Sequence, residues 1–261
     1  MPARLAPTTS SYWRLSRAPR YSLLFALPLL AAYEGLAALL SHGDAAQVRN
    51  GAEVMLAALF SLVAGPRGGM VVVALVVLGC VGLAGWDMRR SGARLQRNVF
   101  ALMLAESAVL AVVCGLVIGV ATARLLHAVQ PHLAITHLAI APAPDSAMAS
   151  LGWPTKLMLA LGAGLFEELL FRVLLVGALA FGLRRVLGAG PTLAGAVASG
   201  VGALVFAAAH YIGAYGDAFT LASFTFRALA GLFFSVLYVL RGFGITAWSH
   251  ALYDVMVLTV G

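Results

Sequence analysis

The sequence is poor in charge. Only 10% of its 261 residues are Asp, Glu, Lys or Arg against 62% that are hydrophobic, and the mean hydropathy is +0.96. A water-soluble fold of this length has no means of hiding that much apolar surface. Cysteine is equally scarce. Cys80 and Cys114 both fall inside apolar runs, which excludes a disulfide framework built on loops. Acidic residues number 10 against 17 Lys and Arg, a formal charge of +7. The basic residues stand in short segments beside the apolar runs, not in a patch interleaved with aromatics. The excess therefore reads as membrane orientation, and nucleic acid is set aside as a partner.

What the sequence has in abundance is apolar length. About 18 apolar residues suffice to cross a hydrocarbon core of roughly 30 Å. Runs at 21–40, 70–86, 99–123, 157–183, 192–210, 220–240 and 245–261 are read as spans. The segment 51–64, with 14 residues, is too short to cross and is expected to lie in the interface or to span halfway. The predicted fold is an all-α polytopic transmembrane bundle of about seven spans plus that short helix. Residues 1–20 hold four arginines and no acid. The run behind them is longer than a signal-peptide core and lacks a small-residue cleavage site, so a retained first span is expected.

With seven spans the basic residues sort by side. Eleven, including Arg89, Arg90, Arg94, Arg97, Arg184, Arg185 and Arg241, fall on one side, and Arg49, Arg67, Arg124 and Lys156 on the other. The positive-inside rule then predicts a cytoplasmic N-terminus and an external C-terminus, with the bacterial inner membrane as the expected location. The Pro- and Ala-rich stretch 124–156 reads as an extracytoplasmic loop between N-terminal spans (1–123) and a four-span part (157–261). His127, His132 and His137 within it are spaced by fives, share no helical face, and read as solvated. No fixed-period repeat occurs, which weighs against an inverted-repeat transporter.

Ionisable residues inside spans cost about 2.5–3.5 kcal/mol each even on insertion scales, so each calls for an explanation. The first three spans hold only Glu34 and Glu106, whereas the last four hold Glu167, Glu168, Arg172, His210, Arg227, His250 and Asp254. On a helix, adjacent carboxylates point in different directions, and Arg172 lies one turn beyond Glu168. Glu168 and Arg172 are thus an expected ion pair, leaving Glu167 to face a cavity as a candidate general base. Phe206 and His210 share a face one turn apart, as do His250 and Asp254. The acid of the second pair is expected to fix the imidazole tautomer. Each cluster has a bland counterpart: a buried ion network, an interfacial histidine, a polar pair that joins helices. Glu34, Glu106 and Arg227 are read as completing the buried charge balance, and the glycines at 162, 164, 195, 200 and 202 as close-packing positions.

The motifs Glu167-Glu168-x-x-x-Arg172, Phe206-x-x-x-His210 and His250-x-x-x-Asp254, in that order, resemble those of the CPBP family. These are CAAX-processing and bacteriocin-processing intramembrane proteases, which include the Ras-converting endopeptidases. The resemblance covers about residues 155–261. It implies that 157–261 is a catalytic core behind variable N-terminal helices. Glu167 and His210 would activate a water against a peptide carbonyl, and His250 and Asp254 would stabilise the oxyanion. Glu168, Arg172 and Phe206 would support the site. The implied partner is a membrane-associated protein or peptide substrate, with or without a lipid, in the bilayer.

Two mechanisms fit these residues. One is metal-free, with Glu167 as base. The other places zinc on Glu167, His210 and His250 with an open position for water. No HExxH occurs, and the metal-free version with no cofactor is preferred. Two rival functions stay open: a proton-coupled transporter, since the same residue types make proton relays, and an inactive scaffold of the same family. One expectation is awkward. Read as straight spans, His210 and His250 lie roughly 20 Å apart in depth, so either the last helix starts deep or the boundaries of 192–210 are shifted.

Overall fold

A computed structural model describes residues 9–41, 48–92, 94–129, 150–213 and 216–260. The described residues are helical throughout, without strands. The elements are α1 (Thr9–Ser16), α2 (Pro19–Leu39), α3 (Gly51–Ala64), α4 (Gly68–Ser91) and α5 (Arg97–Val129). A long helix, α6, follows over 153–186, then α7 (Pro191–Ala209), α8 (Leu221–Arg241) and α9 (Phe243–Val260). Five stretches are long and apolar enough to cross a membrane by length and composition: α2, the 51–91 segment, α5 up to Ala128, α7 and α8. Large apolar side chains such as Leu62, Val63, Leu78, Val109, Val197 and Val236 are exposed along these helices, as a lipid-facing surface requires.

The 51–91 segment is not one straight helix. The chain turns through Gly65–Arg67, with Gly65 in a positive-φ conformation (57°). A Cβ on Gly68 would lie 2.3 Å from the Ala57 carbonyl oxygen and 2.2 Å from Ser61 Oγ. Residues 7 and 11 positions apart on a continuous helix cannot meet in this way, so α3 folds back against α4. Asn50 caps α3 by accepting from the backbone N–H groups of Ala52 and Glu53.

Several ends differ from the sequence expectation. Helix α5 runs on to Val129 and α6 begins at Trp153, so both ends of the expected 124–156 loop are helical. This places His127 on α5, while His132 and His137 lie outside the described residues. Arg241, expected in a solvated flank, is buried at 2% exposure. Its guanidinium holds both oxygens of Glu106 at 2.5 and 2.6 Å, and Tyr12 donates to the same carboxylate. Burial, and then Glu106, push the Tyr12 hydroxyl well above its ordinary range. Arg20 on α2 binds Asp87 on α4 at 2.7 Å. These pairs tie α1, α2, α4, α5 and α8 together at the arginine-rich end.

The helix α6 carries the first motif and is not uniformly α-helical. Trp153–Gly162 and Gly177–Val186 are α-helical, and Ala163–Val176 between them is π-helical. Such i→i+5 stretches are rare and recur at functional sites. Glycine lets neighbouring helices close on α6. A Cβ at Gly164 would lie 2.4 Å from the Ala247 carbonyl oxygen, and one at Gly202 2.5 Å from Val176 Cγ2. Gly231, not singled out from the sequence, meets Ala203 at 2.8 Å in the same sense. Gly195 and Gly200, expected as close-packing positions, have nothing within 4 Å. Both are half-buried, with open space where a side chain would start.

Candidate active site

The depth discrepancy between His210 and His250 is resolved by register. Helix α7 occupies Pro191–Ala209, close to the expected boundaries, and runs antiparallel to the longer α6 without reaching its far end. Its Gly202 meets Val176, nine residues beyond Glu167 on an antiparallel neighbour. Eight residues on from Gly202, His210 therefore comes level with the glutamates. The first turn of the last helix is buried against α2: the Gly244 N–H donates to Ser22 Oγ at 2.9 Å, and Trp248 Nε1 donates to the Phe25 carbonyl at 2.6 Å. The two histidines meet at the level of the glutamates, part-way along α6.

Glu167 Oε2 lies 3.8 Å from His210 Nε2 and 4.0 Å from His250 Nε2. Asp254 Oδ2 lies 3.6 Å from the same His250 nitrogen. Glu167, His210, His250 and Asp254 are thus brought together from three helices. Exposure grades across the group, from 6% for the His250 side chain and 13% for Glu167 to 22% for His210 and 28% for Asp254. The site opens on the His210 and Asp254 side.

Each ring is oriented through its other nitrogen. His210 Nδ1 lies 2.8 Å from the Phe206 carbonyl oxygen. A carbonyl only accepts, so Nδ1 carries the hydrogen and the neutral ring presents a lone pair at Nε2. His250 Nδ1 lies 2.7 Å from Glu168 Oε1. Here the structure corrects the sequence reading: the carboxylate that fixes the His250 tautomer is Glu168, whereas Asp254 approaches the opposite nitrogen. The expected pair of Glu168 with Arg172 is present at 3.2 Å. Arg172 in turn lies over the Phe206 and Phe234 rings, 4.4 and 5.6 Å from their centroids. Phe206 meets His210 edge-on, and Phe234 stacks on His250 with centroids 4.4 Å apart.

Arg227, expected within the buried charge balance, pairs with Asp217, whose backbone N–H donates to the His210 carbonyl at 2.8 Å. Glu34 pairs with Arg49 at 3.3 Å. Two contributors were not recognised from the sequence. Phe234 gave no signal beyond an apolar run. Asn50 did: Asn50 followed by Glu53 at a helix start is a capping-box pattern, although nothing local reveals that its side chain reaches Glu167.

Residues 149–256 match the model of the Rce1-like family, described as type II CAAX prenyl endopeptidase Rce1-like. That segment, less than half of the chain, is similar to the Rce1-like family. All four convergent side chains, with Glu168, Arg172 and Phe206, lie inside the matched segment. This similarity supports an intramembrane endopeptidase in general terms, and with it a membrane-associated protein or peptide as substrate. No curated protein and no solved structure matches the chain.

Proposed function

We propose that this protein hydrolyses a peptide bond of a membrane-associated substrate with a water held between Glu167, His210 and His250. One observation carries the reading: Glu167 Oε2 is buried, has no hydrogen-bond partner among the described residues, and faces two imidazole nitrogens. A water about 2.8 Å from each of the three atoms would meet them at angles of about 90°, within the range for hydrogen bonding. In the proposed step Glu167 takes the proton of that water as its oxygen attacks the carbonyl carbon. The lone pair of His210 Nε2 receives and passes on the proton that the leaving amine needs. His250, in its doubly protonated form, donates from Nε2 to the oxyanion, and Asp254 holds that charge in place.

The zinc alternative uses the same three residues. Tetrahedral ligands at about 2.05 Å lie about 3.3 Å apart, so the observed 3.8 and 4.0 Å separations fit a hydrogen-bonded water more closely than a bound ion. If zinc were held there, it would lower the proton affinity of a bound water. The family description names prenylated CAAX substrates, and a lipid-anchored peptide is accordingly the first proposed substrate class. The Pro191-to-arginine end of the bundle is proposed to face the cytoplasm.

The test uses purified protein in phospholipid vesicles with two quenched reporters, a farnesylated CAAX peptide and an unlipidated peptide anchored by one apolar span. Cleavage of either by wild type, with a loss of roughly 100-fold or more in Glu167→Gln and no effect of a strong chelator, is the expected result. Full activity in Glu167→Gln would remove the assignment of the base. Loss on chelation with recovery on adding zinc would replace the metal-free mechanism by the metal one.

A further inference from the structure

The carboxylate proposed as base is held by a residue outside the matched segment. Asn50 Nδ2 donates to Glu167 Oε1 at 3.2 Å, and Asn50 is 5% exposed. Its carboxamide cannot turn over. Oδ1 accepts from the N–H groups of Ala52 and Glu53 at 2.9 and 3.4 Å, which leaves the amide nitrogen as the end aimed at Glu167.

The backbone at this point is fixed as well. The Asn50 N–H donates to the Tyr33 hydroxyl at 3.2 Å, and that hydroxyl donates to Glu53. Arg49 lies 3.7 Å from Glu53 and 3.3 Å from Glu34. On the other side, a Cβ at Gly162 would lie 2.6 Å from the Tyr33 ring and 3.0 Å from Asn50 Cβ. The missing side chain at Gly162, about one π-helical turn before Glu167, is what lets Tyr33 and Asn50 lie against α6.

We infer that Asn50 is a positioning residue for Glu167, holding Oε1 so that Oε2 stays turned towards the two imidazoles. The inference rests on the proposed role of Glu167 and adds a part of the site contributed by the N-terminal helices. Capping does not account for it. Ser, Thr or Asp cap a helix as Asn does, through one side-chain oxygen. Asp has no donor, and the hydrogen of Ser or Thr sits on the capping oxygen itself, so none of them supplies a second arm at the position of Nδ2. A glutamate has three rotatable bonds, and tethering one oxygen restricts where the other can be, which is how a positioned base gains rate.

The experiment compares Asn50→Ser and Asn50→Asp with wild type, in vesicles, on whichever of the two reporters wild type cleaves. Both variants keep an oxygen cap and lack the Nδ2 arm that reaches Glu167, and Asn50→Ser does so without adding charge. Expected are a kcat lowered about 10-fold or more, a KM within about twofold of wild type, and an unchanged melting temperature. Wild-type kcat in both variants, or a change confined to KM, overturns the inference. Should both variants fail to fold, Asn50→Thr takes their place, since it caps through its hydroxyl, refills part of the lost volume and lacks the Nδ2 arm; wild-type kcat there overturns the inference equally. Glu167→Gln, measured in parallel, separates the two levels. If it is inactive while the Asn50 variants are normal, only the positioning role falls. If Glu167→Gln is fully active, the role of Glu167 falls and the positioning role with it.

Discussion

Glu168 Oε1 lies 2.7 Å from His250 Nδ1 and 3.2 Å from Arg172 Nη1. One oxygen thus orients an imidazole on α9 and compensates a guanidinium on its own helix. The carboxylate is fully buried and Arg172 nearly so, so neither charge has water to fall back on.

Glu168→Gln is therefore expected to act twice. Leaving Arg172 uncompensated costs about 3–5 kcal/mol for a fully buried pair, read as a lower denaturation midpoint in detergent. It also loosens the ring of His250, so kcat falls even at temperatures where the variant is folded. A variant that loses stability and keeps wild-type kcat would show that His250 needs no orienting partner.

The approach of α9 to α6 is tested at Gly164. An alanine there places its Cβ 2.4 Å from the Ala247 carbonyl oxygen and 2.6 Å from the Ala251 Cβ. Backbone cannot give way cheaply, and the expected cost is about 1–3 kcal/mol, with lost activity as His250 is carried away from Glu167. Gly195→Ala is the control, because nothing lies within 4 Å of that position. Alanine is the better helix former, so the control should be neutral or slightly stabilising. Thermal melting of both variants decides the matter, and equal behaviour would contradict the packing described.

Membrane orientation is tested by accessibility. Cys80 and Cys114 are buried, which gives a low labelling background. With N-terminus inside, Arg94→Cys should react with an impermeant maleimide only after the membrane is opened, and Ser146→Cys should react in intact cells. The reverse pattern would invert the bundle and turn the His210 side of the site to the cytoplasm.

The sequence made the helical class and the chemistry-bearing residues legible because both are local. Apolar length marks a span, and a charge inside a span stands out by its cost. The pairing of Glu168 with Arg172 follows from spacing on one helix. What spacing cannot express is the relation between helices. The partner of His250 Nδ1 comes from α6 rather than from Asp254 on the same helix, since an i,i+4 acid competes with any acid that a neighbouring helix presents. That α7 ends beside the middle of the longer α6, with Gly202 against Val176, is not announced by any property of either residue alone. Nor does any spacing of residues in Ala163–Val176 announce its π-helical hydrogen bonding.

The contact between Ser22 and Gly244 bears on how this chain can be divided. A Cβ on Gly244 would lie 2.2 Å from the Ser22 carbonyl oxygen, so the first turn of α9 is moulded against the first turn of α2, across nearly the whole length of the sequence. The segment that matches the Rce1-like family contains most of α9 but none of α2. That segment is consequently not a transplantable module. Grafted behind foreign helices it would keep its motifs and lose the surface that sets the depth of its last one, and exchange of the N-terminal helices between relatives would succeed only where a small residue at 244 meets a backbone of the same shape.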